Sequence, residues 1–134
     1  MLTSAAKNIH LVYLTDDIGI ASVYPFLRSK INKTDNSHIS LIYYSATGIY
    51  HFRKEIEILL VRYPVKLYAS FARLEGSDGT GFGGEEIEAL INANTMPAMS
   101  FVISGMPAFR SKSEELLRFL GVDDIRIQEQ FFSS

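Results

Sequence analysis

A chain of 134 residues has the length of one domain and is too short for two full cores. Its 47% apolar and 21% charged residues give a globular composition, with enough apolar surface to offset chain entropy and so to exclude a disordered class. A net charge of −2 provides no pull toward nucleic acid or an anionic membrane, and the absence of cysteine excludes disulfides, thiolate catalysis and Cys-ligated metals.

Short apolar runs then alternate with stretches of helical period. Residues 9–14 read as a strand that is apolar on both faces, and the turn Asp16-Asp17-Ile18-Gly19 leads into a helix over about 20–31. That helix carries Ile20, Val23, Tyr24, Leu27 and Ile31 on one face, and Pro25 is taken as close enough to its start to be tolerated in the first turn. A polar loop follows. Residues 38–45 form the second strand, and a helix over 52–61 places Phe52, Ile56, Leu59 and Leu60 at i, i+4, i+7 and i+8 until Tyr63-Pro64 stops it.

The third strand is expected over 65–71. The stretch 75–84 holds five of the nine glycines and reads as a flexible loop, and a short helix over 85–91 opens on acidic residues that suit its dipole. Residues 99–104 give the fourth strand, followed by Gly105-Met106-Pro107 and a helix over about 109–120 that Gly121 closes in a left-handed conformation. Residues 125–128 form a last short strand. No repeat, low-complexity tract or linker interrupts the 1–134 single domain, no apolar run approaches the roughly 20 residues that cross a bilayer, and residues 1–8 lack the apolar core of a signal peptide. A cytoplasmic location is the expectation.

Five strands separated by helices predict an α/β, three-layer, open parallel sheet of Rossmann-like type, with right-handed crossovers and strand order 3-2-1-4-5. Nearly continuous apolar runs in strands 1, 2 and 4 fit strands covered on both faces. In such a sheet a ligand sits beyond the carboxyl ends of the strands, where their order reverses, which brings the turns after strands 1 and 4 side by side. Gly19, just before a helix, marks the first of these turns as an anion site, although a strand-to-helix turn also needs a glycine for geometry alone. Asp16 and Asp17 oppose a phosphate there unless a metal intervenes or their side chains point away.

Paired acids after strand 1 also suit the magnesium site of a phosphorelay receiver. That reading fails because strand 3 ends in Ala69-Ser70-Phe71-Ala72 without an acid, and no Lys follows the last strand. His10, His38 and His51 are scattered, the first two at strand beginnings, so they read as structural or solvated and no metal site is expected. No Gly-x-Ser-x-Gly elbow is present, and no His is obviously placed to activate Ser104. The pair Phe131-Phe132 reads as core or interface ahead of a ring-stacking role.

Three groups of residues, taken in order and spacing, resemble the pyridine-nucleotide-binding domain of the ferredoxin–NADP reductase family of flavin oxidoreductases. Asp17-Ile18-Gly19-Ile20-Ala21-Ser22 is similar to the family's Gly-x-Gly-Ile-Ala/Thr-Pro turn, and Val23-Tyr24-Pro25 to an extension found in a subgroup of electron-transfer subunits. Tyr43-Tyr44-Ser45-Ala46 with Phe52-Arg53-Lys54-Glu55-Ile56 is similar to its Tyr-Ser/Gly-x-Arg-Thr loop and Phe-Arg-x-Glu-Leu helix. Phe101-Val102-Ile103-Ser104-Gly105-Met106-Pro107, Leu116 to Val122 and Ile125 to Phe131 resemble its Cys/Ser-Gly-Pro-Pro turn, Leu-Gly-Val helix end and Ile-x-x-Glu-x-Phe ending. The resemblance spans about residues 8–132.

The resemblance implies delivery of hydride from NAD or NADP, in reduced form, to FAD or FMN held by a partner flavin-binding domain or subunit. It implies that Asp17, Gly19, Ile20, Ala21 and Ser22 border the pyrophosphate. Ser45, Ala46 and Thr47 would border the adenosine ribose, and Gly105 and Met106 the nicotinamide. Ser104 would be the catalytic residue there, and Phe131 or Phe132 would lie near the flavin edge. Departures from the pattern are Asp17 for the first glycine, Ser22 and Met106 for prolines, Ser104 for a frequent Cys, and a strand-2 loop without its Arg, for which Arg73 is a substitute. The flavin-binding barrel is absent from this chain, so it is expected to be inactive alone. These departures also motivate an alternative, a domain of the same fold that has lost nucleotide binding and serves as a protein-interaction module.

Overall fold

The computed structural model describes residues 9–32, 37–74, 84–96 and 98–127. Nine elements alternate along the chain: β1 (Ile9–Thr15), α1 (Ile20–Ile31), β2 (His38–Ser45), α2 (Arg53–Arg62), β3 (Leu67–Arg73), α3 (Glu85–Ala93), β4 (Ala98–Ser104), α4 (Pro107–Phe119) and β5 (Ile125–Ile127). The strands form one sheet in the order β3-β2-β1-β4-β5, every neighbouring pair parallel. The expected strand order and fold class are those observed.

Strand alternation divides the core into two layers. Leu11 and Tyr13 of β1, with Ile39, Leu41 and Tyr43 of β2, pack under α1 and α2 against Ile20, Val23, Leu27, Ile31, Ile56 and Leu59. Val12 and Leu14, with Ile42, Tyr44, Phe101 and Ile103, face the other way, toward Ile87 of α3 and Phe109 and Leu117 of α4. Burial on both faces is the physical reason that β1 and β2 read as unbroken apolar runs.

Register sets the carboxyl-end rim. Thr15 of β1 pairs with Tyr43 on one side and Ser104 on the other, so β1 and β4 end level while β2 runs two residues further, to Ser45. Gly121 adopts φ +88°, the left-handed closure expected after α4. Pro25 departs from expectation. It is the sixth residue of α1, inside the helix rather than in its first turn. Its ring lies on an exposed position, where the missing N–H leaves a carbonyl that water can reach. Phe52 stands before α2 with φ 64° and stacks on Tyr24 at 4.8 Å between ring centroids, an aromatic bridge from α1 to the start of α2.

Candidate functional site

At the carboxyl end of β1 the chain must turn directly into α1, and the space available is small. A Cβ on Gly19 would overlap the Ser104 backbone carbonyl and the Thr15 hydroxyl. Glycine is therefore required here by the close approach of the β1 turn to the end of β4, not by a positive φ. That packing brings Gly19, at the start of α1, against Ser104 at the reversal of strand order.

Asp16 joins the two turns. One carboxylate oxygen, Oδ1, accepts hydrogen bonds from the backbone N–H groups of Ile18 (3.0 Å) and Gly19 (2.8 Å). The other, Oδ2, accepts from the Met106 N–H at 2.9 Å, ninety residues along the chain. The residue is 4% exposed, so the three N–H groups replace the water that a carboxylate otherwise needs. A Cβ on Gly105 would come within 2.5 Å of this pinned oxygen. The role of Asp16 was missed from sequence, although an Asp three residues before a Gly that opens a helix is a recognisable local acceptor for that helix's first N–H groups.

Asp17 makes the second junction. Its Oδ1 accepts from the Tyr43 hydroxyl at 2.9 Å, and its Oδ2 from the Ser45 hydroxyl and the Ala46 N–H, each at 3.1 Å. Burial pushes the Tyr43 phenol well above its ordinary range, and its hydrogen bond to Asp17 acts in the same direction, so Tyr43 stays a donor. The Tyr43 oxygen also accepts from the His51 N–H at 3.1 Å. Ser45 organises the loop beyond β2. Its oxygen accepts from the Thr47 and Gly48 N–H groups at 3.2 and 3.1 Å, and lies 3.2 Å from the Thr47 hydroxyl.

The two carboxylates thus reach to opposite sides of β1. Asp17 reaches toward β2 and Asp16 toward β4, and together they tie the turns after β1, β2 and β4 into one platform. Ser104 is fully buried at the end of β4. Ile18, Ile49 and Met106 project from the rim as exposed apolar side chains. Beside it, Arg73 at the end of β3 lays its guanidinium against Gly48, which has φ +83°. Arg53 lies 4.6 Å over the Phe71 ring and 5.5 Å over Tyr50, and also pairs with Glu57 at 3.2 Å. Residues Phe131 and Phe132 lie outside the described residues, as does most of the glycine-rich 75–84 stretch.

Among the described residues no group of three or more His, Asp or Glu is placed to hold a metal, and no helix is long and apolar enough to cross a membrane. A dinucleotide meets a divided fit: the β2 loop offers the hydroxyls of Ser45 and Thr47, whereas the Ile18, Gly19 and Met106 N–H groups at the rim are already engaged by Asp16.

No protein-family profile and no curated protein matches the chain. Solved structures do. Ferredoxin-NADP+ reductase from Plasmodium falciparum superposes with a TM-score of 0.71 at 17% identity over 95% of this chain. Flavohemoglobin from Malassezia yamatoensis gives 0.66 at 18% over 91%, and the flavohem-like FAD/NAD-binding domain of nitric oxide dioxygenase from Vibrio cholerae gives 0.65 at 21% over 88%. The chain spans 54% of that reductase, 32% of that flavohemoglobin and 49% of the Vibrio chain. With strand order, register and rim geometry, these likenesses show that the chain has the α/β fold of ferredoxin–NADP+ reductase-like NAD(P)-binding domains.

Proposed function

We propose that this chain is the pyridine-nucleotide-binding domain of a flavin-dependent oxidoreductase, holding NADH or NADPH so that hydride passes to a flavin carried by another domain or subunit. The observation that carries this reading is the packing of Gly19 on the Ser104 carbonyl. It sets the α1 N-terminus beside the β4 turn at the switch point of the sheet. Support comes from the neighbours of the same fold, whose names include ferredoxin-NADP+ reductase with 2′P-AMP and an FAD/NAD-binding domain. The domain's part is to bind and orient, and the hydride chemistry belongs to the cofactors.

In this reading Gly19 to Ser22 border the pyrophosphate, Ser45 to Thr47 the adenosine ribose, and Ser104 to Met106 the nicotinamide, with Arg73 beside the ribose. Asp16 and Asp17 set the affinity. At ~4 Å and an effective dielectric of ~20, one like-charge contact costs about 4 kcal/mol before screening, half of the roughly 8 kcal/mol behind a micromolar complex. Weak binding by the isolated domain is expected, with dissociation constants of about 0.1–1 mM and strengthening when a flavin domain is added. Calorimetric titration with NADH and NADPH tests this, and absence of any heat at several millimolar nucleotide overturns it.

One observation favours a second reading. The donors that would greet a phosphate are satisfied within the chain, and the rim around them presents the exposed Ile18, Ile49 and Met106. A domain that has exchanged nucleotide for a protein partner has this arrangement. Asp17→Gly distinguishes the two. Binding that appears only in the variant supports the interaction module, whereas binding by the parent sinks it.

A further inference from the structure

The opposite end of the sheet carries polar groups that the rim chemistry does not use. His10 of β1 and Ser40 of β2 point to the α3 side of the sheet, and both are buried. His10 Nε2 lies 2.7 Å from the Ser40 hydroxyl, and His10 Nδ1 lies 3.1 Å from Asn94 Oδ1 at the end of α3. Asn94 has its orientation fixed locally, because its Oδ1 accepts from the Met96 N–H at 3.1 Å and its Nδ2 donates to the Met96 carbonyl at 3.0 Å.

That orientation decides the protonation of the imidazole. Oδ1 can only accept, so His10 carries its proton on Nδ1 and presents a lone pair from Nε2. The Ser40 hydroxyl therefore donates to Nε2. A serine donating to an imidazole whose far nitrogen is held by a side-chain carbonyl is the geometry that activates a nucleophile. Burial holds His10 below its ordinary pKa, and its hydrogen bond to Asn94 opposes that only in part, so the ring is the neutral base at pH 7.

The pair faces open space. A cavity of about 590 Å³ lies between the amino ends of β1 to β3 and α3, and His10 and Ser40 form part of its wall. Ala89 and Ala93 of α3 leave the space unfilled, and Ile39, Val65 and Leu90 make it largely apolar. An uncharged aryl or short alkyl group suits such a wall. His38 lies edge-on to His10 at 6.3 Å between ring centroids and shares the wall with Lys66.

We propose that Ser40 is a nucleophile in a second site at the amino ends of the strands, taking an acyl group from small uncharged esters with His10 as its base. Ser40 Oγ bonds to the ester carbonyl carbon and its proton moves to His10 Nε2. The ester C–O bond then breaks and His10 returns that proton to the departing alkoxide, leaving an acyl-Ser40 ester and an alcohol. Water, deprotonated by the same nitrogen, cleaves the acyl-serine to a carboxylic acid and restores Ser40. Asn94 is a positioning residue that acts through His10.

The test is treatment of the full chain with p-nitrophenyl butyrate and with an alkyl fluorophosphonate, whose fluoride leaves as a Ser–O–P bond forms. The expected result is one equivalent of phosphonyl group on the peptide containing Ser40, and slow release of nitrophenol. Ser40→Ala removes both, with its circular dichroism spectrum unchanged. His10→Gln slows labelling at least 100-fold, and Asn94→Ala slows it about 10-fold and moves its pH profile. His38, Lys66 and Tyr68 from the strand side and Glu85 and Glu86 from α3 also face this cavity. Their titration is separated from that of His10 by the loss of the limb below neutrality in His10→Gln. Because that variant can misfold, the parent's own profile is a second measure, and labelling must rise with loss of one proton below pH 6.5. A Ser40 peptide that stays unlabelled, equal labelling of parent and Ser40→Ala, or a flat profile below neutrality overturns the proposal.

Discussion

Asp16 carries more of this molecule's order than any charge visible on its surface. Its carboxylate binds three backbone N–H groups drawn from two turns, whereas the Arg118–Glu114 pair at 2.8 Å is an exposed i,i+4 contact worth only a few tenths of a kcal/mol. Asp16→Ala leaves those N–H groups without an acceptor. The Gly19 N–H is buried, and water reaches the other two only in part. Such a loss is expected to cost about 2–4 kcal/mol, measured as a lower urea midpoint. Asp16→Asn separates charge from geometry. Its carbonyl can still serve Ile18 and Gly19, but its NH2 then faces the Met106 N–H, donor against donor. A loss of about 1–3 kcal/mol is expected for it, and equal stability of parent and both variants removes the platform assigned to this residue. Asp17 was legible in sequence as an oddity, a carboxylate where the family resemblance has a glycine, but not its destination. Its partners Tyr43, Ser45 and Ala46 come from another strand, and only the parallel register of β1 with β2 brings them to it.

At the scale of elements the chain was readable almost throughout, because local periodicity and burial agree. All nine elements stand where apolar spacing placed them, with ends shifted by one or two residues. β3 starts at Leu67 rather than 65 and runs to Arg73, since Val65 and Lys66 are still in the turn after α2. The exception was Pro25. An interior proline costs a helix about 3 kcal/mol relative to alanine, against which stands about 0.4–1 kcal/mol from a stiffer unfolded chain. Pro25 and Ala21, four residues back, are both exposed, so part of the cost is already relieved. Pro25→Ala is expected to stabilise the domain by about 1–2 kcal/mol on those grounds, seen as a higher melting temperature. A lower one means that the proline at this position is needed to bring Tyr24 onto Phe52.

At the scale of the whole molecule the two ends of the sheet obey different rules. The carboxyl end was named from sequence as the candidate rim, because fold topology alone points to it. The amino end was not, because His10, Ser40 and Asn94 are far apart in sequence and each is an unremarkable residue in its own element. Their union has a thermodynamic consequence for the entire fold. His10 is held below its ordinary value of 6.5 in the folded chain, chiefly by burial and less by the nearby His38, with the Asn94 hydrogen bond opposing. The unfolded chain then binds a proton near pH 6.5 that the folded chain refuses. Above that pH neither state is protonated and His10 adds no slope. As pH falls below about 6.5 the unfolded state gains protons first, so stability falls, until the folded ring titrates as well. Urea midpoints measured from pH 7.5 to 5.5, above the range where carboxylates dominate, should decline with acidification. In His10→Gln that decline should be shallower, even if the variant is less stable at pH 7.5. An identical slope in parent and variant shows that His10 is not the group that couples this end of the sheet to pH.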